Sequence, residues 1–140
     1  MVDELKQVAE EWLKTFAYTV ATNDVNAHLE MMSRRLQVVG LSVQGFLEYR
    51  EWANKRRNDM NSRRLLRITY KNIEVKHVTS DKRFRIHVEE TIKSTVGESF
   101  VIDKEIELEL EKDGKWREVE ELIRNVRLTP PVTPLNGNAP

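Results

Sequence analysis

Apolar and polar residues alternate strictly between residues 84 and 110, and this stretch organises the chain. Alternation of this length predicts two half-buried strands joined by a turn at Thr95–Ser99. A turn at this place pairs the apolar side chains of one face: Phe84 with Leu110, Ile86 with Leu108, Val88 with Ile106 and Ile92 with Ile102. A slip by one residue would turn all of them to the other face, so the pattern specifies one face strongly. In this register one inward pair is charged, Glu90 opposite Lys104.

Helical periodicity precedes the two strands. Apolar residues recur at three- and four-residue steps over Val2–Ala21, which predicts an amphipathic helix. Asn23 and Asp24 break this pattern, and either residue can cap a second, short helix that ends near Ser33.

A short strand and a third helix follow. Arg35–Val39 has the composition of a strand, and 40–42 is a loop. Ser42 is a plausible N-cap for a helix that has Gly45 near its start and ends at about Met60.

The remaining elements are long strands. A first strand alternates from Leu66 onward, and Asp113-Gly114 is a strong hairpin signal that returns the chain as Trp116–Leu128. The alternation is interrupted at three places, which we predict to be β-bulges: Asn72, Glu89-Glu90 and Glu120-Glu121. Three helices followed by a four-stranded meander predict an α+β fold, in which the helices cover the concave face of a curved mixed or antiparallel sheet.

Composition narrows the class of protein. The 140 residues contain 23 Lys and Arg against 23 Asp and Glu, so no net field favours nucleic acid or membrane, and we expect neither as a partner. There is no cysteine and no long apolar run, and a cytoplasmic location is expected. Residues 1–128 form one predicted domain, and 129–140 form a Pro-rich tail.

The order and spacing of the elements resemble the NTF2-like superfamily, the cone fold shared by nuclear transport factor 2, SnoaL-type cyclases and ketosteroid isomerases. The segments that carry this resemblance are 12–16, 23–24, 29–32, 45–49 and 113–116. The resemblance implies a pocket between sheet and helices, and a homodimer formed through the outer face of the sheet. Two departures argue against a ketosteroid isomerase: Phe16 stands where that family has a tyrosine, and Val38–Leu41 contains no carboxylate.

Three charged residues interrupt the apolar strand faces of this predicted cone: Glu90, Lys104 and Glu121. About the Asp113-Gly114 turn, Ile106 meets Glu121, so Lys104 has one carboxylate on each side. One interpretation is a pocket in which Glu90 or Glu121 acts as an acid or base and Lys104 tunes it. The other is a structural ion network, which also perturbs pKa values and is the commoner case.

Other candidate residues carry weaker signals. The predicted ligand-binding set combines aromatic and charged side chains: Trp12, Phe16, Tyr49, Trp52, Tyr70, Glu90, Lys104 and Glu121. Aromatic residues at such spacing more often pack in the core. His28 is predicted on a polar helix side and His87 on the outer sheet face, and no two histidines have metal-ligand spacing. We assign no metal and no cofactor. The basic residues of 55–67 are interpreted as a solvated helix end.

Three functions are consistent with this pattern. The first is a small-molecule-binding protein of unknown ligand. The second is a SnoaL-like acid-base enzyme for isomerisation, cyclisation or dehydration, and the third is a dimeric interaction module whose cone is filled by its own side chains. An open pocket with charges neutralised in pairs would favour the first function, and a desolvated carboxylate in an open pocket would favour the second.

Overall fold

A computed structural model of the chain describes residues 2–40, 45–95 and 97–129. The elements follow in the order α1 (Val2–Ala21), α2 (Val25–Glu30), β1 (Met32–Val39), β2 (Phe46–Glu48), α3 (Tyr49–Asn61), β3 (Leu65–Ser80), β4 (Arg83–Ser94), β5 (Ser99–Leu110) and β6 (Trp116–Thr129). One six-stranded sheet has the strand order β2-β1-β6-β5-β4-β3. Only the β1–β6 pair is parallel among these neighbours, so the predicted α+β fold with a mixed sheet is confirmed.

The first two helices begin where the sequence predicts. α1 buries a stripe of apolar side chains and packs against β3. Asp24 caps α2, because its carboxylate accepts a hydrogen bond from the backbone N–H of Ala27 at 3.2 Å. α2 ends at Glu30 rather than near Ser33, and the chain enters β1 directly at Met32.

The third helix begins later than predicted. Phe46–Glu48 forms the edge strand β2, which pairs with the end of β1, and α3 starts only at Tyr49. The backbone N–H of Glu48 is satisfied by the Glu51 carboxylate at 3.2 Å, which supplies a capping interaction at this point. The proposed cap Ser42 lies outside the described residues.

The predicted pairing of the central strands is wrong by two residues, although the predicted faces are right. Ile86 pairs with Ile106 and Phe84 with Leu108, and the connection runs from Ser94 to Glu98 rather than from 95 to 99. A shift by two keeps every side chain on its face, so alternation cannot detect it. Only the turn decides between such registers.

The sheet has a bulge at one of the three predicted positions and further register breaks in β3 and β6 that the sequence did not predict. Asn72 has a φ of 57° at a break in the β3–β4 pairing, which confirms a bulge there. Pairing through Glu89-Glu90 is continuous, so that bulge is absent. In β6 the extra residues are Val119 and Arg124 instead of Glu120-Glu121.

Ion pairs cover the outer face of β4, β5 and β6. Arg85 pairs in register with Glu107 and also contacts Glu105 and Glu120, and His87 contacts Asp103. The outer face follows the same register as the inner one, so His87 stands opposite Glu105 and Glu89 opposite Asp103. The opposite face packs on the helices and contains the main apolar core. None of the helices among the described residues is long and apolar enough to span a membrane.

Candidate functional site

Lys104 lies between two carboxylates on the concave face of the sheet. Its Nζ is 2.7 Å from Glu90 Oε1 and 3.1 Å from Glu121 Oε2. The lysine and Glu90 are only 3% and 1% exposed. Three adjacent strands, β4, β5 and β6, supply one side chain each, so the predicted cluster is formed. Because of the corrected register, Glu90 lies diagonally from Lys104 rather than directly opposite, where Val88 stands.

Tyr70 adds a fourth polar side chain from β3. Its hydroxyl donates a hydrogen bond of 2.5 Å to Glu90 Oε2, and in the sheet it stands directly opposite that residue. Burial, followed by the charge of Glu90, raises the pKa of Tyr70 well above its usual range. The phenol therefore stays a donor, and each oxygen of Glu90 has a polar neighbour.

Glu118 is a fifth member that the sequence did not predict. It is 1% exposed and lies beside Glu121, and its Oε2 has no hydrogen-bond partner among the described residues. Burial, followed by the negative charge of Glu121, raises the pKa of Glu118 well above its usual range. Burial and the neighbouring carboxylate thus favour the protonated form of Glu118, which can donate a hydrogen bond to Glu121.

Opposing effects set the ionisation of the other two groups. Burial alone would raise the pKa of Glu121, but the charge of Lys104 and the hydrogen bond from Glu118 hold it below its usual value. Burial alone would lower the pKa of Lys104, but Glu121 and Glu90 hold it above its usual value. The ammonium and the Glu121 carboxylate are thus both ionised at neutral pH, and they neutralise each other. We call these five residues the polar floor: Tyr70, Glu90, Lys104, Glu118 and Glu121.

A cavity of about 290 Å³ opens over the polar floor, between the sheet and α3. Glu90, Lys104 and Glu121 form its polar base, and Lys55 and Arg56 of α3 border it on the helix side. The remaining walls are apolar: Leu47, Trp52, Ile92, Phe100, Ile102, Ile123 and Val126. Apolar walls with a few convergent polar groups are typical of small-molecule sites.

The cavity brings together only part of the predicted ligand-binding set. Trp52 forms part of its wall, and Tyr70 is bonded to Glu90 at its base. Trp12 and Phe16 are not on its wall; they stack in the core with ring centroids 4.9 Å apart. Tyr49 faces a separate cleft between α2 and α3. The helical period of these three aromatic residues predicts burial, but it cannot say which buried space they face.

His28 is buried, contrary to its predicted position on a polar helix side. The side chain lies between Phe16 and Trp52 in a stack of rings, with centroids 4.0 and 6.0 Å away. Its Nδ1 is 2.8 Å from Thr19 Oγ1, and its Nε2 is 3.0 Å from Arg56 Nη1. α2 has six residues, which is too short for a reliable apolar stripe, and this is why the sequence pattern missed the histidine.

The tautomer of His28 follows from its partners. A guanidinium only donates, so Nε2 accepts from Arg56 and Nδ1 carries the proton. Nδ1–H donates to Thr19, whose hydroxyl in turn donates to the Phe16 carbonyl at 2.6 Å. Burial, followed by the charge of Arg56, lowers the pKa of His28 to about 2. The imidazole is therefore neutral, and it fixes the direction of Arg56.

The remaining histidines of the described residues lie apart from the polar floor. His87 lies on the outer face beside Asp103, as predicted, and His77 is exposed on β3. Within 2–40, 45–95 and 97–129, no group of three His, Asp or Glu side chains could hold a metal ion.

Several solved structures share this fold. An NTF2-like protein of unknown function from Shewanella oneidensis matches with a TM-score of 0.69 at 12% identity, over 84% of this chain and 96% of its own. A scytalone dehydratase-like protein from Novosphingobium aromaticivorans matches with a TM-score of 0.64 at 13% identity, over 88% of this chain and 85% of its own. The epoxide hydrolase/cyclase-like enzyme SalBIII has a role in pyran ring formation in the polyether salinomycin. It matches with a TM-score of 0.55 at 16% identity, over 88% of this chain and 92% of its own.

No family model matches the chain, and neither does any curated protein. Identities of 12 to 16% to the solved structures show a shared fold and nothing finer. The fold implied by the sequence resemblance is thereby confirmed.

Proposed function

We propose that this chain, which has the NTF2-like fold, binds a small molecule in the cavity above the polar floor. The observation that carries the proposal is the combination of apolar walls with a desolvated group of ionised side chains at one end of an open space of about 290 Å³. Buried charges are costly unless they are paired, and here Lys104 is paired with both Glu90 and Glu121. Such a site can hold an apolar ligand between its walls and offer fixed hydrogen-bonding partners to a polar group at one end of that ligand.

The size of the cavity favours a ligand over a cone filled by its own side chains. The space approaches the lower end of the range for small-molecule sites, about 300 Å³. This supports binding over the alternative of an interaction module with a closed interior.

A thermal-shift screen followed by crystallography tests the proposal. The library contains neutral, anionic and cationic compounds of about ten non-hydrogen atoms. A ligand at a hundred times its Kd adds about 2.7 kcal/mol to the free energy of unfolding, which shifts Tm measurably. Val126→Trp narrows the cavity wall, and Leu128→Trp, an exposed site on the same strand, is its matched control. Binding should be lost in V126W and kept in L128W; a screen without hits, or equal binding to both variants, would refute the proposal.

A second candidate function is acid-base catalysis. The observation that favours it is a pair of buried carboxyl groups, Glu118 and Glu121, whose pKa values are shifted in opposite directions, upward for Glu118 and downward for Glu121. Glu121 borders the cavity, so it or Glu90 is the candidate base, with Lys104 as the neighbour that tunes it. Two proteins of the same fold are described as enzymes, one as a scytalone dehydratase and SalBIII as an epoxide hydrolase/cyclase-like enzyme.

Proton exchange separates the two functions. A bound ketone in D2O should lose its α-hydrogen signal in NMR spectra faster with wild type than with Glu121→Gln if the site acts as a base. Equal rates, with binding retained in both proteins, would exclude Glu121 as the base. Glu90→Gln gives the same test for the other carboxylate.

We also propose a homodimer formed through the outer face of β4–β6, as the family resemblance implies. Light scattering at increasing protein concentration should give twice the mass of 16.5 kDa, and reversing the charge of Arg85 in R85E should reduce it. A monomeric wild type would refute this.

A further inference from the structure

Arg56 lies at the cavity in a fixed position and with its charge intact. His28 Nε2 accepts one of its N–H groups at 3.0 Å, and the guanidinium lies over Trp52, with 5.2 Å between Cζ and the ring centroid. Both partners orient a guanidinium without neutralising it, because one is an uncharged imidazole and the other an aromatic ring. Arg56 also lines the cavity, and the contact with His28 uses only one of its five N–H donors.

Other arginines of the protein are held differently. Arg83, Arg85 and Arg117 each contact at least two carboxylates. No carboxylate of residues 2–40, 45–95 and 97–129 lies within 4 Å of the Arg56 guanidinium. Arg56 is thus preorganised and without a counter-ion in this part of the chain.

The charges around the cavity leave one cation in excess. Lys55, Arg56 and Lys104 face two carboxylates, Glu90 and Glu121, and both of these are in contact with Lys104. The excess positive charge therefore lies on the α3 side of the cavity. A ligand with a single negative charge would complete this balance.

We propose that the ligand is an apolar carboxylate whose acid group binds Arg56 and whose body packs against Trp52, Phe100 and Ile102. The guanidinium fork matches the geometry of a carboxylate, and such charge-assisted hydrogen bonds are about twice as strong as neutral ones. At about 30 Å³ for a water-sized group, the cavity holds on the order of ten non-hydrogen atoms, which is the size of an arylalkanoic acid. This inference rests on the proposed binding function and adds the chemical class of the ligand.

Matched acids and alcohols test the inference. Isothermal titration with 3-phenylpropionate, 3-phenylpropanol and their shorter and longer homologues gives an acid-to-alcohol affinity ratio for each length. Wild type should prefer the acid by about tenfold or more. Arg56→Gln, which keeps a donor for His28, should abolish this preference and leave alcohol binding within about twofold. Arg57→Gln is the control, because Arg57 is exposed on the same helix and bonded to Asn54 instead.

The outcomes separate the two proposals. If alcohols bind but wild type does not prefer acids, or if R56Q and R57Q keep the same preference, the inference is overturned while the binding function stands. If no compound of any charge binds in the wider screen, the binding function fails. If R56Q does not fold, two other measurements decide, namely Lys55→Gln at an exposed position and the salt dependence of binding. The affinity for acids must fall in K55Q and with rising salt, whereas the affinity for alcohols must stay the same.

Discussion

Glu118 and Glu121 lie three residues apart on β6, yet both side chains are buried on the concave face, where each shifts the pKa of the other. In a regular strand an odd separation places two residues on opposite faces. The bulge at Val119 adds one residue between the partners of Leu108 and Glu107, and so returns Glu118 to the inner face. A single extra residue thus produces a pair of buried carboxyl groups.

Replacing Glu118 by Gln should stabilise the protein increasingly as the pH rises. The unfolded chain loses this proton near the ordinary pKa of 4.5, whereas the folded protein retains it because the pKa of Glu118 is raised. Above pH 4.5 the folded state binds more protons, so wild type loses up to about 1.4 kcal/mol per pH unit relative to E118Q until the folded pKa is passed. Urea unfolding of both proteins between pH 5 and 8 measures this difference.

Glu120→Gln is the control for that measurement, because Glu120 lies on the outer face in contact with Arg85. The lowered pKa of Glu121 acts only below pH 4.5, outside this window. A pH-independent difference between wild type and E118Q would show that Glu118 is ionised in the folded protein.

His28→Gln should have the opposite pH dependence. The pKa of His28 is lowered from 6.5 to about 2, so below pH 6.5 the unfolded chain takes up a proton that the folded protein does not. Wild type should therefore lose up to about 1.4 kcal/mol per pH unit relative to H28Q as the pH falls from 6.5 to 4.5. The glutamine side chain has both an acceptor for the Arg56 N–H and a donor for the Thr19 hydroxyl, so the variant can keep both hydrogen bonds. The exposed His77→Gln should show no such slope, and an equal slope in both variants would contradict a neutral buried His28.

Glu90→Leu should cost far more stability than a surface substitution. It leaves Lys104 with one counter-ion instead of two and removes the acceptor of the Tyr70 hydroxyl. Breaking a buried pair costs about 3 kcal/mol or more, against about 0.5 kcal/mol at the surface. Glu89→Leu, on the outer face of the same strand, is the comparison, and chemical denaturation measures both. A silent E90L would remove Glu90 from the polar floor.

Gly40→Ala should destabilise the end of β1 next to the cavity. A Cβ at this glycine would lie 2.6 Å from the backbone oxygen of Ile123, and its φ of +104° is unfavourable for alanine. Overpacking and strain together should cost about 2–4 kcal/mol. Gly114→Ala shares the positive φ, but nothing lies within 4 Å, so it should cost only about 1 kcal/mol. Equal losses in the two variants would mean that Ile123 moves aside freely.

Alternation predicted the faces of β4 and β5, and therefore the meeting of Glu90, Lys104 and Glu121. It could not predict the register, because pairings that differ by two residues bury the same side chains. It also missed Glu118, because the strand breaks its own period at a bulge. In both cases the missing information lies in turns and bulges, where backbone geometry rather than hydrophobicity decides.

The contact between His28 and Arg56 could not be predicted from the sequence, for a different reason. Arg56 belongs to a run of basic residues whose composition predicts a solvent-exposed helix end. His28 belongs to a helix of only six residues. Their contact depends on how α2 packs against α3, and local pattern carries no information on that packing.

The parallel pairing of β1 with β6 has a consequence for biosynthesis. The strand that pairs with β1 in parallel, β6, is made about eighty residues after it. Until β6 emerges, one edge of β1 and the nascent β5 are open to wrong partners. Pairing between such distant segments slows folding, because the chain between them must be ordered before the contact forms.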